Sequence, residues 1–100
     1  MRPGREDIIK FLEEHKAFML KEYRVTRIGV FGSIARNEYS DQSDIDLIVE
    51  FETDTPDLFE LKSRLRYYIH ENLSREVDIC REKYLKPFAR DAILRETIYV

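Results

Sequence analysis

Three short runs of β-branched and apolar residues, VTRIGVF (25–31), DIDLIVEF (44–51) and EVDIC (76–80), alternate along the chain with stretches of helical periodicity. That alternation constrains the fold more than any other feature, because strands separated by helices favour a sheet covered by helices. From Asp7 to about Glu22, the apolar residues Ile8, Ile9, Leu12, Phe18 and Met19 fall near helical spacing, with charges between them, which predicts one amphipathic helix. Val25–Phe31 stops at a glycine, and Gly32-Ser33-Ile34-Ala35-Arg36 reads as a tight turn into a short helix. The polar stretch Asn37–Ser43 has no periodicity and reads as a loop. Thr55-Pro56-Asp57 offers a cap, a proline for the first helical position and an acid for the first turn. The helix it would open carries Leu58, Phe59, Leu61, Leu65 and Ile69 and ends near Asn72. Pro87 opens a last helix through Ile93 and Leu94, before the terminal Ile98-Tyr99-Val100.

The chain has 100 residues, of which 43% are hydrophobic, enough for one domain with a real core over residues 1–100 and too apolar for a disordered tail. Seventeen Lys and Arg against twenty Asp and Glu leave a net charge of −3. An acidic balance argues against a protein that grips many phosphates of DNA or RNA, while leaving room for a small cationic patch that holds one nucleotide. The single Cys80 has no intrachain disulfide partner, and no Cys/His cluster is spaced for zinc. No apolar run approaches a membrane span or a signal peptide, so the expectation is a soluble, cytoplasmic protein.

The chemistry concentrates in two places. Asp44 and Asp46 are two apart on a predicted strand, so both side chains project from one face while Ile45 and Leu47 face the other way. Adjacent carboxylates repel, and the usual remedies are a shared proton or a divalent cation; oxygen ligands of this kind suit Mg²⁺ or Mn²⁺. Asp78, between Val77 and Ile79, joins the same cluster if the third run pairs beside the second. Upstream, Gly32-Ser33 follows a strand and precedes a short helix, a corner whose backbone can approach an anion, and Arg36 offers a forked cation for phosphates. Taken singly, each feature has an ordinary explanation: a chance DxD, a plain turn, a solvated arginine. Their order and spacing carry the signal.

His15 and His70 have no partner at ligand spacing, and Cys80 reads first as a small buried hydrophobe bordering the site. Tyr67 and Tyr68, on a helix with Lys62, Arg64 and Arg66, read first as part of a half-buried helix with a solvated side and otherwise as a face for a partner or a nucleotide base, and Glu38 and Asp41 read as loop solvation. DQSDID is no EF-hand, since the required glycine and distal glutamate are missing.

Gly32-Ser33, ten residues, then Asp44-Ile45-Asp46 resemble the GSX10DXD signature of the polymerase β-like nucleotidyltransferases. The run GSIARNEYSDQSDIDLIVEF, the later VDIC and the ending LKPFARDAILRETIYV are similar to the minimal nucleotidyltransferase subfamily, which includes the MntA-type antitoxins of HEPN/MNT toxin–antitoxin pairs. Asn37 stands where that subfamily often has glycine, and asparagine also tolerates a left-handed backbone. The resemblance implies an α+β fold (two-layer α/β) with a short mixed sheet flanked by about four helices. It implies that Asp44, Asp46 and Asp78 hold two Mg²⁺ ions, that Asp78 helps deprotonate the acceptor, and that Gly32 and Ser33 hold the phosphates of ATP. The implied reaction moves AMP onto a hydroxyl, and the implied acceptor is a tyrosine of a HEPN-domain toxin. A binding module that neutralises its partner by occlusion is the alternative. The last helix and Ile98-Tyr99-Val100 offer apolar surface for a homodimer or a heteromeric complex.

Overall fold

The computed structural model describes residues 2–100. Its elements run α1 (Arg5–Glu14), α2 (Lys16–Tyr23), β1 (Val25–Phe31), α3 (Gly32–Ala35), β2 (Ile45–Phe51), α4 (Leu58–Leu73), β3 (Val77–Cys80), a 3₁₀ turn (Glu82–Tyr84), α5 (Pro87–Glu96) and β4 (Ile98–Tyr99). The four strands form one mixed sheet in the order β3-β2-β1-β4. β1 pairs antiparallel with β2 and with β4, whereas β2 and β3, joined through α4, are parallel. The α+β expectation is met, with five helices where about four were expected.

Strand alternation gives the sheet two unlike faces. Ile28, Val30, Ile45, Leu47, Val49, Val77 and Ile79 share a buried cluster with Ile8 and Leu12 of α1, Met19 of α2, and Leu65, Ile69 and Leu73 of α4. Each such side chain contributes about 1.5–3 kcal/mol when fully buried, so this face holds the fold together. On the other face the register aligns Phe31, Asp46 and Asp78 in one row, and Gly29, Ile48 and Cys80 in the next. Ile48 is buried there but lies outside the main cluster.

Three expectations need correction. The predicted first helix is two helices that meet at His15, and α2 buries only Met19, leaving Phe18 43% exposed. Thr55 does not cap α4: its hydroxyl donates to the Glu52 carbonyl at 2.6 Å, and Asp57, with φ 54°, precedes a helix that begins at Leu58. Pro56 therefore sits in the turn, and Phe59 is exposed rather than core. The terminal residues add a strand that sequence periodicity does not announce. Ile98 and Tyr99 pair with Val30 and Gly29, and a Cβ on Gly29 would lie 2.6 Å from Thr97 Cγ2 and 2.8 Å from Tyr99 Cδ1. A bare glycine in mid-strand is what lets β4 come that close.

Candidate active site

The site forms where β1 ends and β2 begins. Asp46 is on β2 directly opposite Asp78 of the parallel strand β3, a spacing of about 4.8 Å between strands. Asp44 immediately precedes β2 and is exposed, as is Asp78, while Asp46 is half-buried. Among the described residues, none of the three aspartates is in an ion pair; the ion-paired cations are matched with glutamates instead. Burial and the charges of Asp78 and then Asp44 push the Asp46 carboxyl up from 3.8 to about 6, against a pull from Arg36. The donor set is all oxygen and carries uncompensated negative charge, which fits a hard divalent cation. Among the described residues no three His, Cys, Asp or Glu side chains are already closed into a metal-holding group. Asp44, Asp46 and Asp78 are the carboxylates that would hold such a cation, and Asp44 and Asp78 are exposed to receive it.

Gly32 sits beside this row for a geometric reason. Its φ is +75°, and a Cβ there would run into the Asp46 carboxylate. A left-handed side chain and a collision act together, so Gly32→Ala is expected to destabilise the fold by about 2 kcal/mol or more. Urea denaturation checks this; a midpoint equal to that of the parent would contradict it. Ile34 and Ala35 anchor α3 in the core, and Asn37, at φ 61°, takes the left-handed turn that ends it. The asparagine tolerance expected from the sequence is thus used.

The sequence reading did not anticipate Glu96, at the end of α5. Its Oε2 accepts the Gly32 N–H at 2.7 Å, and Arg36 Nη1 donates to Oε1 and Oε2 at 3.1 and 3.2 Å. Arg36 Nε also lies 3.5 Å from Glu38. The hydrogen bond to Glu96, and then its charge, hold the Arg36 guanidinium above its ordinary range. Sixty-four residues separate Gly32 from Glu96, so no local pattern announces the contact.

Arg75 was missed as well. It is 1% exposed and ties down the loop that leads into Asp44: Nη1 donates to the carbonyls of Ser40 (3.0 Å) and Ser43 (2.6 Å), and Nε to that of Pro3 (2.8 Å). Cys80, one row beyond Asp78, is half-buried, and burial followed by the Asp78 charge pushes its thiol up, so it borders the site as a neutral group. His15 stacks on Phe11 at 4.0 Å and bonds the Phe11 carbonyl, and His70 bonds the Arg75 carbonyl; both are structural. Among the described residues, no helix is long and apolar enough to cross a membrane.

Comparison with known proteins gives the family and the fold. The nucleotidyltransferase domain family matches residues 12–100. The protein adenylyltransferase MntA of Thermococcus cleftensis is 36% identical over 95 residues, covering 95% of this chain and 94% of its own. A solved structure described as a candidate minimal nucleotidyltransferase superposes with a TM-score of 0.78 at 32% identity, over 96% of this chain and 95% of that one. A chain from a crystal structure of a toxin–antitoxin with AMP-PNP shares the fold, with a TM-score of 0.66 at 20% identity, over 87% of this chain and 70% of that one.

Proposed function

The chain belongs to the nucleotidyltransferase domain family and is a transferase of the adenylyltransferase type; from that premise we propose that it moves AMP from ATP onto a tyrosine hydroxyl of a HEPN-domain toxin and so acts as its antitoxin. The observation that carries the reading is the unpaired Asp46–Asp78 couple, in register across two strands, with the Gly32 turn pressed against Asp46. Residues 1–100 form one catalytic domain in this reading. Asp44, Asp46 and Asp78 are the residues that would hold two Mg²⁺ ions. Bound there, the ions would supply charge neutralisation for the triphosphate and for the attacking and leaving oxygens of an in-line displacement.

The chain's own groups do the rest. Gly32, Ser33 and Arg36 receive the β- and γ-phosphates, which orients the α-phosphorus toward the acceptor. The acceptor oxygen bonds to that phosphorus, the bond to the bridging oxygen breaks, and pyrophosphate leaves. The acceptor proton passes to a carboxylate of the cluster, with Asp78 the assigned base because it is exposed at the open side of the row. Support for a toxin partner comes from the toxin–antitoxin chain that shares this fold. Phe88 of α5, 87% exposed, supplies apolar surface for that partner or for a second copy of the chain. A cytoplasmic setting belongs to the same reading.

The test is transfer of label from ATP carrying ³²P at the α-phosphate, with Mg²⁺ and the candidate toxin. Label on the toxin with the parent chain, and none from γ-labelled ATP, is the expected result. No transfer with the parent chain contradicts the proposal. If an Asp44→Asn/Asp46→Asn variant neutralises the toxin as well as the parent does, occlusion and not chemistry is the mechanism.

A further inference from the structure

The groups assigned to the incoming phosphates are already in use, because Glu96 holds the Gly32 amide at 2.7 Å and the Arg36 guanidinium at 3.1 and 3.2 Å with one carboxylate. We propose that Glu96 is an internal competitor of the nucleotide: its carboxylate takes the donors that the triphosphate needs, and binding requires it to let go. The inference rests on the phosphate assignment made above, and it concerns how that same site is regulated.

Three observations carry it. A carboxylate and a phosphate present the same kind of anionic oxygen to the same donors, a backbone N–H and a guanidinium fork. The contact is built rather than incidental, since the Glu96 side chain is only 22% exposed and Thr97 alone separates it from β4, whose pairing with Gly29 and Val30 fixes where α5 ends. Glu96 also adds a fourth negative charge beside Asp44, Asp46 and Asp78, the neighbourhood into which a polyanion must come. Rotation of the Glu96 side chain away from Arg36 removes the competition and leaves Arg36 free to turn to the phosphates. The remaining partner of Arg36, Glu38, is more distant at 3.5 Å and 67% exposed.

The experiment compares Glu96→Gln with the parent chain by calorimetric titration of AMP-PNP in Mg²⁺. Glutamine keeps the shape and an oxygen for the Gly32 N–H but loses the charge, so the fold is retained. Tighter binding is expected, by about three- to tenfold, which is what removing one nearby charge is worth in a solvated cleft. The gain should shrink at high salt, a response that a purely structural role for Glu96 would not produce. Glu96→Asp, which keeps the charge but shortens the reach, is expected to fall between the two and covers the case in which Glu96→Gln folds poorly. Unchanged or weaker binding in both variants, with a parent chain that does bind, overturns the competitor role and leaves the transferase reading intact. No binding by any of the three overturns both.

Discussion

Asp44→Asn/Asp46→Asn is expected to reduce AMP transfer by about 10³-fold or more while raising the melting temperature. Loss of activity follows from removing two of the three carboxylates available to a divalent cation. Gain in stability follows from the same charges. Asp46 is ionised in a half-buried position beside Asp78 and Asp44, and its carboxyl is pushed from 3.8 to about 6. At about 1.4 kcal/mol per pKa unit, reduced for solvent screening, the ionised form costs about 1–2 kcal/mol, or about 5–10 °C in a domain of this size. The sign follows from linkage: a raised carboxyl pKa means the fold prefers the protonated form, so stability is lost as pH rises from about 4 through 6. Without divalent cations, the variant's advantage should therefore be full above about pH 6 and vanish below about pH 4. Thermal melts across that range check it, and a variant less stable than the parent at neutral pH would contradict it.

Arg75→Met is expected to destabilise the fold by about 2–4 kcal/mol, because three carbonyls lose a charged donor. The guanidinium is buried without a carboxylate and is held by the carbonyls of Pro3, Ser40 and Ser43, with the Tyr39 ring 5.6 Å away. Truncation leaves three carbonyls without their donor and unties the 40–43 loop from the N-terminal segment. Lysine should not rescue it, because one ammonium cannot reproduce a planar fork that spans three acceptors. Urea denaturation measures the effect; a midpoint shift worth less than about 1 kcal/mol would show that the loop does not depend on this clamp.

Much of this was legible in the sequence, and the parts that were not have particular causes. The three strand runs and the Gly32-Ser33 to Asp44-Ile45-Asp46 spacing are local patterns, and the sheet brings Asp78 level with Asp46 because both follow apolar residues of one register. The break at His15 was hidden because apolar spacing on its two sides looks continuous, although α2 turns Phe18 outward. Thr55-Pro56 carried good capping chemistry, but the Thr55 hydroxyl found a nearer acceptor in Glu52. β4 is two residues long and pairs across most of the chain; Gly29, a glycine inside a strand, was its one local sign. Glu96 and Arg75 act through contacts far apart in sequence, which spacing arguments cannot reach.

In the proposed function, Asp44, Asp46 and Asp78 serve as one cation-holding group for a nucleotide. Thermal melting of the parent chain and of Asp44→Asn/Asp46→Asn with Mg²⁺ and AMP-PNP, each alone and together, tests it most directly. A concentration-dependent rise in the parent, largest with both additions, and none in the variant are expected. An equal rise in the two proteins, or no rise in the parent at saturating Mg²⁺ and nucleotide, would contradict it.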